Sequence, residues 1–200
     1  MNIKQLKQEL DSLWIAKKSF AALKKYLIYK NIPYIASGSS RLVFGPIDGC
    51  VLKLAKNKKG LAQNNAEADW AIDYYGVINH WFNVSEHDIW IESEYCTKAK
   101  TSDFKKILGY SFKFYTNCLQ YLKSELFSNN VFRIEKPKGY DDLLKNEDEF
   151  FYQIYCLFSN FNIVIDDMCR ISSYGINLQG KIVIVDYGLN NLVWEEHYSN

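Results

Sequence analysis

Two hundred residues, 48% of them hydrophobic and 16% aromatic, exclude a disordered chain and are enough for one domain or two small lobes. Lysine plus arginine (24) nearly balances aspartate plus glutamate (23), and the net charge of +1 gives no electrostatic mandate for nucleic acid or an anionic membrane. Partners must therefore be read from individual sites. The five cysteines, Cys50, Cys96, Cys118, Cys156 and Cys169, are odd in number, widely spaced and without a C-x-x-C pair, as expected of thiols in a reducing compartment. His80, His87 and His197 fall in no zinc-binding pattern. The opening "MNIKQLKQEL" reads as a charged helix, and no apolar run approaches the ~20 residues needed to cross a bilayer. The expectation is a soluble cytoplasmic protein.

In chain order, Leu6, Leu10, Leu13, Trp14, Phe20, Leu23 and Leu27 recur at mostly helical spacing between Ile3 and Tyr29, predicting one or two amphipathic helices. These should cover a sheet or mediate self-association rather than bind DNA. After Pro33, β-rich runs alternate with Gly and Pro turns, predicting antiparallel strands over Tyr34–Ala36, Leu42–Phe44 and Cys50–Ala55. A helix is expected from Leu61 to Tyr75, a strand ending near Glu94, and one long helix from Ser102 to Phe127. A polar stretch follows, with a mobile loop around Lys136–Tyr140. Then come a helix over Phe150–Phe161 and short strands at Ile163–Ile165 and Lys181–Val185. The dispersed tyrosines and tryptophans, with no basic stripe beside them, are assigned to core packing rather than base stacking.

Four features stand in order. In "ASGSSRLVF" a glycine and two serines turn between strand-forming runs, so that backbone N–H groups and hydroxyls can face a phosphate without a Cβ in the way; an ordinary hairpin connection would look the same. In "CVLKLA" alternation puts Val51, Lys53 and Ala55 on one face and Leu52 and Leu54 on the other. Lys53 is the only charge in that run and must find an anion. Glu67, 67 − 53 = 14 positions on, lies on the next predicted helix and can reach back to it, or can equally be a solvated carboxylate. Finally, Asp166, Asp167 and Asp186 each end a short apolar strand, a way to hold Mg²⁺ for phosphoryl transfer. Lys56, Lys58 and Lys59 in "KNKKG" are either merely solvated or attract a nucleotide.

These residues resemble the protein-kinase-like fold from roughly Tyr34 to Leu189. "VLKL" looks like the strand of the phosphate lysine, with Lys53 in that role and Val51 above adenine. Glu67 matches the partner glutamate, and Gly38, Ser39 and Ser40 stand in the phosphate loop. "SEYC" is similar to a hinge, which would put the Glu94 carbonyl and the Cys96 amide on the adenine edge. "IDDM" makes Asp167 the candidate base and "DYG" makes Asp186 the Mg²⁺ ligand, with Ser172 (167 + 5) where a second metal ligand stands. "SGSSRLVF", "LAKNKKGLAQNNAEAD" and "VDYGL" are similar to small kinase-like proteins of bacteriophages and prophages, implying a bacterial host cytoplasm.

The resemblance implies an α+β, minimal bilobal fold. Residues 1–96 would form an N-terminal helix and small sheet lobe, and residues 97–200 a reduced helical lobe without the C-terminal substrate-binding helices. It implies ATP and Mg²⁺ as cofactors, with a nucleotide and an unidentified protein or small-molecule acceptor as partners; neither nucleic acid nor membrane is expected. It departs from the family at the loop, where Ala36, Gly38 and Arg41 occupy the three glycine positions. Arg41 there either contacts a phosphate or fills the nucleotide's space. Ile165 and Asp166 replace the usual His-Arg, and the 14 residues after Asp186 leave no room for an activation segment. Two readings stay open: a minimal Mg²⁺-dependent phosphotransferase, and a pseudokinase acting as a nucleotide-binding or protein-interaction regulator.

Overall fold

The computed structural model describes residues 2–68, 76–127, 134–161 and 163–199. It is a mixed α+β chain that divides into two compact units. The first comprises Met1–Trp70, His80–Tyr95 and Glu195–Asn200, the second Ala71–Asn79 and Cys96–Trp194. Among the described residues, no helix is long and apolar enough to cross a membrane.

The first unit is built on a five-stranded antiparallel sheet: β1 (Tyr34–Ser37), β2 (Arg41–Ile47), β3 (Cys50–Ala55), β4 (Trp81–Val84) and β5 (Trp90–Glu94), in the order β1-β2-β3-β5-β4. The N-terminal periodicity resolves into two helices, α1 (Ile3–Lys17) and α2 (Phe20–Tyr29). Lys18 adopts a left-handed φ of 46° and Ser19 caps the second helix by accepting from the Ala22 amide. Leu6 and Leu10 of α1 and Leu23 and Leu27 of α2 are buried in one cluster with Leu42, Phe44, Leu52 and Leu54. The two helices thus cover the sheet face that alternation assigned to Leu52 and Leu54. Each Å² of apolar surface so removed from water stabilises the unit by about 25 cal/mol.

Helix α3 (Lys58–Glu67) follows β3. Asn57 caps it, accepting from the Gly60 amide. The helix starts three residues earlier than the predicted Leu61, and the predicted end at Tyr75 lies outside the described residues. Strand β4, "WFNV", was not foreseen.

In the second unit, β6 (Thr97–Lys98), β7 (Tyr174–Ile176) and β8 (Ile182–Ile184) form an antiparallel sheet in that order. The single helix expected over Ser102–Phe127 is two, α4 (Thr101–Leu108) and α5 (Phe112–Phe127), because Gly109 takes a left-handed φ of 83° and ends the first. At its start Asp103 Oδ2 accepts from the Lys100 amide at 2.8 Å. Helix α6 (Phe150–Asn160) matches its expectation to one residue. Ile163–Ile165 is not a strand: only Ile163 makes a bridge, to Asn190, and the chain then turns into α7 (Ile165–Met168). Asp166 and Asp167 occupy that helix's first turn, where the helix dipole favours acids. Helix α8 (Asn191–His197) begins in this unit, and from Glu195 onward its residues group with the first.

Phe104, Tyr115, Leu119, Leu122, Phe151, Ile154, Leu157 and Tyr174 make the core of this unit. Tyr115 donates to the Tyr174 hydroxyl at 2.7 Å, and Tyr174 to the Met168 carbonyl at 2.7 Å, so both buried phenols are satisfied. The segment read as a mobile loop ends in a buried residue: Tyr140 is 2% exposed and its hydroxyl donates to Glu125.

Candidate functional site

The second face of the five-stranded sheet carries Lys53, and α3 lies on it. The residues α3 buries are Gly60, Gln63, Asn64 and Glu67, a stripe at i, i+3, i+4 and i+7 with no apolar side chain. Gln63, Asn64 and Glu67 find partners on the sheet or on the turns that flank its strands. Lys53 Nζ stands 2.5 Å from Glu67 Oε2, and Arg41 Nη2 stands 2.6 Å from Glu67 Oε1. Asn64 accepts from Arg41 Nη1 at 3.4 Å and donates to the Lys53 carbonyl at 3.3 Å and the Asp88 carbonyl at 2.8 Å. The Ser40 hydroxyl donates to Gln63 Oε1 at 2.5 Å. Glu67 is fully buried, and Arg41 and Lys53 nearly so. Burial alone pushes the Glu67 carboxyl up, but the Arg41 and Lys53 charges outweigh it and hold the group below its ordinary range.

Gly60 fits this seam because it has no side chain. A Cβ there would lie 2.4 Å from the Ser40 carbonyl oxygen and 2.9 Å from the Ala55 Cα. The Gly38–Ser40 turn therefore rests directly on the backbone of α3. It closes through the Gly38 amide and the Arg41 carbonyl at 2.9 Å. Its own carbonyls are tied to the β3–α3 connection: Gly38 accepts from Lys56 Nζ (2.8 Å), Ser39 from Asn57 Nδ2 (3.3 Å) and Ser40 from the Lys56 amide (2.8 Å). Gly38 and Ser39 are exposed, whereas Ser40 is buried. Tyr198 reaches the same place. Its hydroxyl lies 3.5 Å from Ser39 Oγ and 3.3 Å from Gln63 Nε2, and Lys59 Nζ sits 4.1 Å from its ring centre.

Of the other expected residues in this unit, Val51 is buried on β3 opposite Ser93 of β5. The Glu94 amide donates to the His80 carbonyl at 2.9 Å, and the Tyr95 amide to the Gly49 carbonyl at 2.9 Å. The chain passes from the first unit to the second between Tyr95 and Cys96.

In the second unit the Cys96 thiol donates to Asn79 Oδ1 at 2.9 Å. Asp167 is half-buried and pairs with Arg170 at 3.2 Å, while Asp166 is exposed and pairs with Lys123 at 2.6 Å. Contrary to expectation, neither aspartate ends a strand; both lie on α7. Burial raises the Asp167 carboxyl, Arg170 opposes that, and the charges of Asp186 and Asp166 raise it further. Asp186 is thus close enough to be felt by Asp167. It is exposed and follows β8 and Val185. Tyr187 beside it is buried, its hydroxyl donating to the Asn79 carbonyl.

Ser172, expected as a metal ligand, is exposed in a 3₁₀ turn (Ile171–Ser173). Its neighbour Ser173 is the buried one, and its hydroxyl donates to the Asp167 carbonyl at 2.6 Å. Among the described residues, no group of three or more His, Cys, Asp or Glu side chains is disposed around a metal position. The structure thus brings together Lys53, Glu67 and the Gly38–Ser40 turn in one unit, while Asp167 and Asp186 both belong to the other.

Sequence reasoning missed Gln63, Asn64, Ser173 and Tyr198. The first two share one helical stripe with Gly60 and Glu67, but a polar stripe gives no sign in the sequence that it is buried.

No protein-family model matches the chain, and no curated protein does. Among solved structures it is similar to a choline/ethanolamine kinase family protein from Mesorhizobium loti, at 16% identity and a TM-score of 0.39, over 77% of this chain and 57% of that one. The chain therefore spans little more than half the length of that protein.

Proposed function

We propose that the chain is a kinase-like nucleotide-binding protein, a minimal Mg²⁺-dependent phosphotransferase. The observation that carries this reading is the set of buried residues on α3, Gly60, Gln63, Asn64 and Glu67, none of them apolar and centred on the Lys53–Glu67 pair. The helix's Leu61 is only partly buried, against the leucine cluster. A helix docked only for stability would bury apolar groups, because isolated polar groups cost free energy when desolvated and buried ion pairs rarely repay that cost in full. Such a seam is retained when the charge it positions has work to do. Lys53 is the cation so positioned, and a nucleotide phosphate is the anion it suits.

The Gly38–Ser40 turn supports the same reading. A Cβ at Gly38 would meet its nearest neighbour only at 3.9 Å, so the protein's own packing does not demand glycine there. Close approach of a phosphate would. The turn's carbonyls, which would repel that phosphate, are already engaged by Lys56 and Asn57.

In this reading Val51 packs on the base, and the Glu94 carbonyl and Cys96 amide bind its edge. Asp186, with the Ser172 hydroxyl, would hold Mg²⁺, which when bound would supply positive charge against the phosphates. Mg²⁺ keeps several waters and needs only one or two protein carboxylates besides the phosphates, so the absence of a three-carboxylate cluster among the described residues is compatible with it. Asp167, its carboxyl raised, orients the acceptor hydroxyl and takes its proton. The acceptor is a protein or small molecule carrying such a hydroxyl. A second reading, nucleotide binding without transfer, draws on the Asp167–Arg170 pair, which occupies the candidate base.

Thermal melting with and without Mg²⁺-ATP tests the first step: at a hundredfold excess over Kd the ligand should stabilise by about 2.7 kcal/mol. No shift at millimolar ATP sinks both readings. Labelled-phosphate transfer by wild type, Lys53→Ala and Asp186→Asn then separates them, because binding without any transfer, to itself or to added acceptors, leaves the pseudokinase.

A further inference from the structure

Arg41 stands where the resemblance expects the loop's third glycine, and neither sequence-based role for it describes what its side chain does. It is 6% exposed and holds Glu67 Oε1 at 2.6 Å, while Lys53 holds Oε2 at 2.5 Å. Its other terminal nitrogen donates to Asn64 one turn earlier on the same helix. Arg41 lies at the start of β2, opposite Ala55 of β3, so its guanidinium fastens α3 to the sheet from the strand beside the one bearing the lysine. Each carboxylate oxygen has its own cation.

That second cation bears on what Lys53 can do. In a two-member pair the lysine is the sole compensation for a buried carboxylate, and drawing it toward a phosphate leaves that carboxylate partly uncompensated, which is strongly unfavourable in a desolvated site. With a second cation on the other oxygen, the carboxylate stays charged and the helix stays docked while the lysine shares itself with an anion. Resting on the nucleotide-binding reading above, we propose that Arg41 is a positioning residue: it holds Glu67, and through it α3, so that Lys53 is released to serve a nucleotide phosphate. The arginine does not touch the nucleotide. The assembled Lys53–Glu67 arrangement then needs no separate event to form, because β2 carries its clamp.

The test is Mg²⁺-ATP affinity, by titration calorimetry on the full chain, in a double-mutant cycle. Arg41→Gln should weaken binding about tenfold, the usual size of coupling between neighbouring sites, and Arg41→Lys should restore most of it. In a Glu67→Gln background the carboxylate Arg41 compensates is gone, and Arg41→Gln should cause no further loss. An equal loss in both backgrounds would mean that Arg41 contacts the nucleotide directly, and would overturn the proposal. So would an Arg41→Gln protein that is less stable to urea yet binds Mg²⁺-ATP as the wild type does, since that describes a purely structural arginine. Should Arg41→Gln fail to fold, Arg41→Lys against wild type in the two Glu67 backgrounds gives the same comparison. Failure of the underlying reading shows separately, as a wild type that does not bind Mg²⁺-ATP at all.

Discussion

The two faces of the five-stranded sheet are covered in opposite ways. On one, α1 and α2 press leucines onto Leu42, Phe44, Leu52 and Leu54; on the other, α3 presses Gln63, Asn64 and Glu67 onto Ser40, Arg41 and Lys53. The first arrangement gains free energy with every methylene removed from water. The second roughly breaks even and is unforgiving, since removing one member leaves others desolvated and unmatched. One β-strand feeds both: consecutive residues of β3 alternate between a layer that holds the unit together and a layer that holds a charge in place.

The sharpest way to break this contrast is at Glu67. Glu67→Ala removes the carboxylate that two buried cations share and should cost about 3–5 kcal/mol in urea unfolding, while abolishing any stabilisation by Mg²⁺-ATP. Leu54→Ala, one position from Lys53 on the opposite face, should cost about 3 kcal/mol through the cavity it leaves, yet keep the full increment from Mg²⁺-ATP below its own melting point. If both variants lose the increment alike, the faces are not functionally distinct. Gly60→Ala should cost about 2 kcal/mol, because the added Cβ cannot coexist with the Ser40 carbonyl, and it should weaken nucleotide binding by displacing the turn.

The smallest effect is in acid. Glu67 has a folded pKa depressed from its ordinary 4.5, so its contribution is complete above the unfolded value and disappears as pH falls through the folded one. Stability followed by urea unfolding from pH 6 downward should therefore decline more steeply in wild type than in Glu67→Gln. Equal slopes would show that the carboxylate is not held by its two cations.

What was legible in the sequence follows the same division. The alternation of Leu52, Lys53 and Leu54 was plain, because a lone lysine in an apolar strand has few destinations, and Glu67 stood at a spacing that could meet it. Arg41, Gln63 and Asn64 were harder to place, since hydrophobic periodicity assigns a polar stripe to solvent and nothing local distinguishes a buried amide from an exposed one. The break at Gly109 was hidden because apolar spacing continues on both sides of it. Ile163–Ile165 read as a strand on composition, whereas the acids that follow favour the first turn of a helix. Strands β4 and β7 have four and three residues, too few to show an alternation.

The placement of Tyr198 has a consequence for how the protein is made. Residues 195–199 group with the first unit, yet they follow the second unit's 96–194 in the chain, and the Tyr198 hydroxyl reaches Ser39 and Gln63 there. During synthesis the sheet and α3 emerge early, but Tyr198 can settle on the Gly38–Ser40 turn only after all of the second unit has left the ribosome. A fragment cut at residue 95 would keep the turn's ties to Lys56 and Asn57 but lack the Tyr198 hydroxyl.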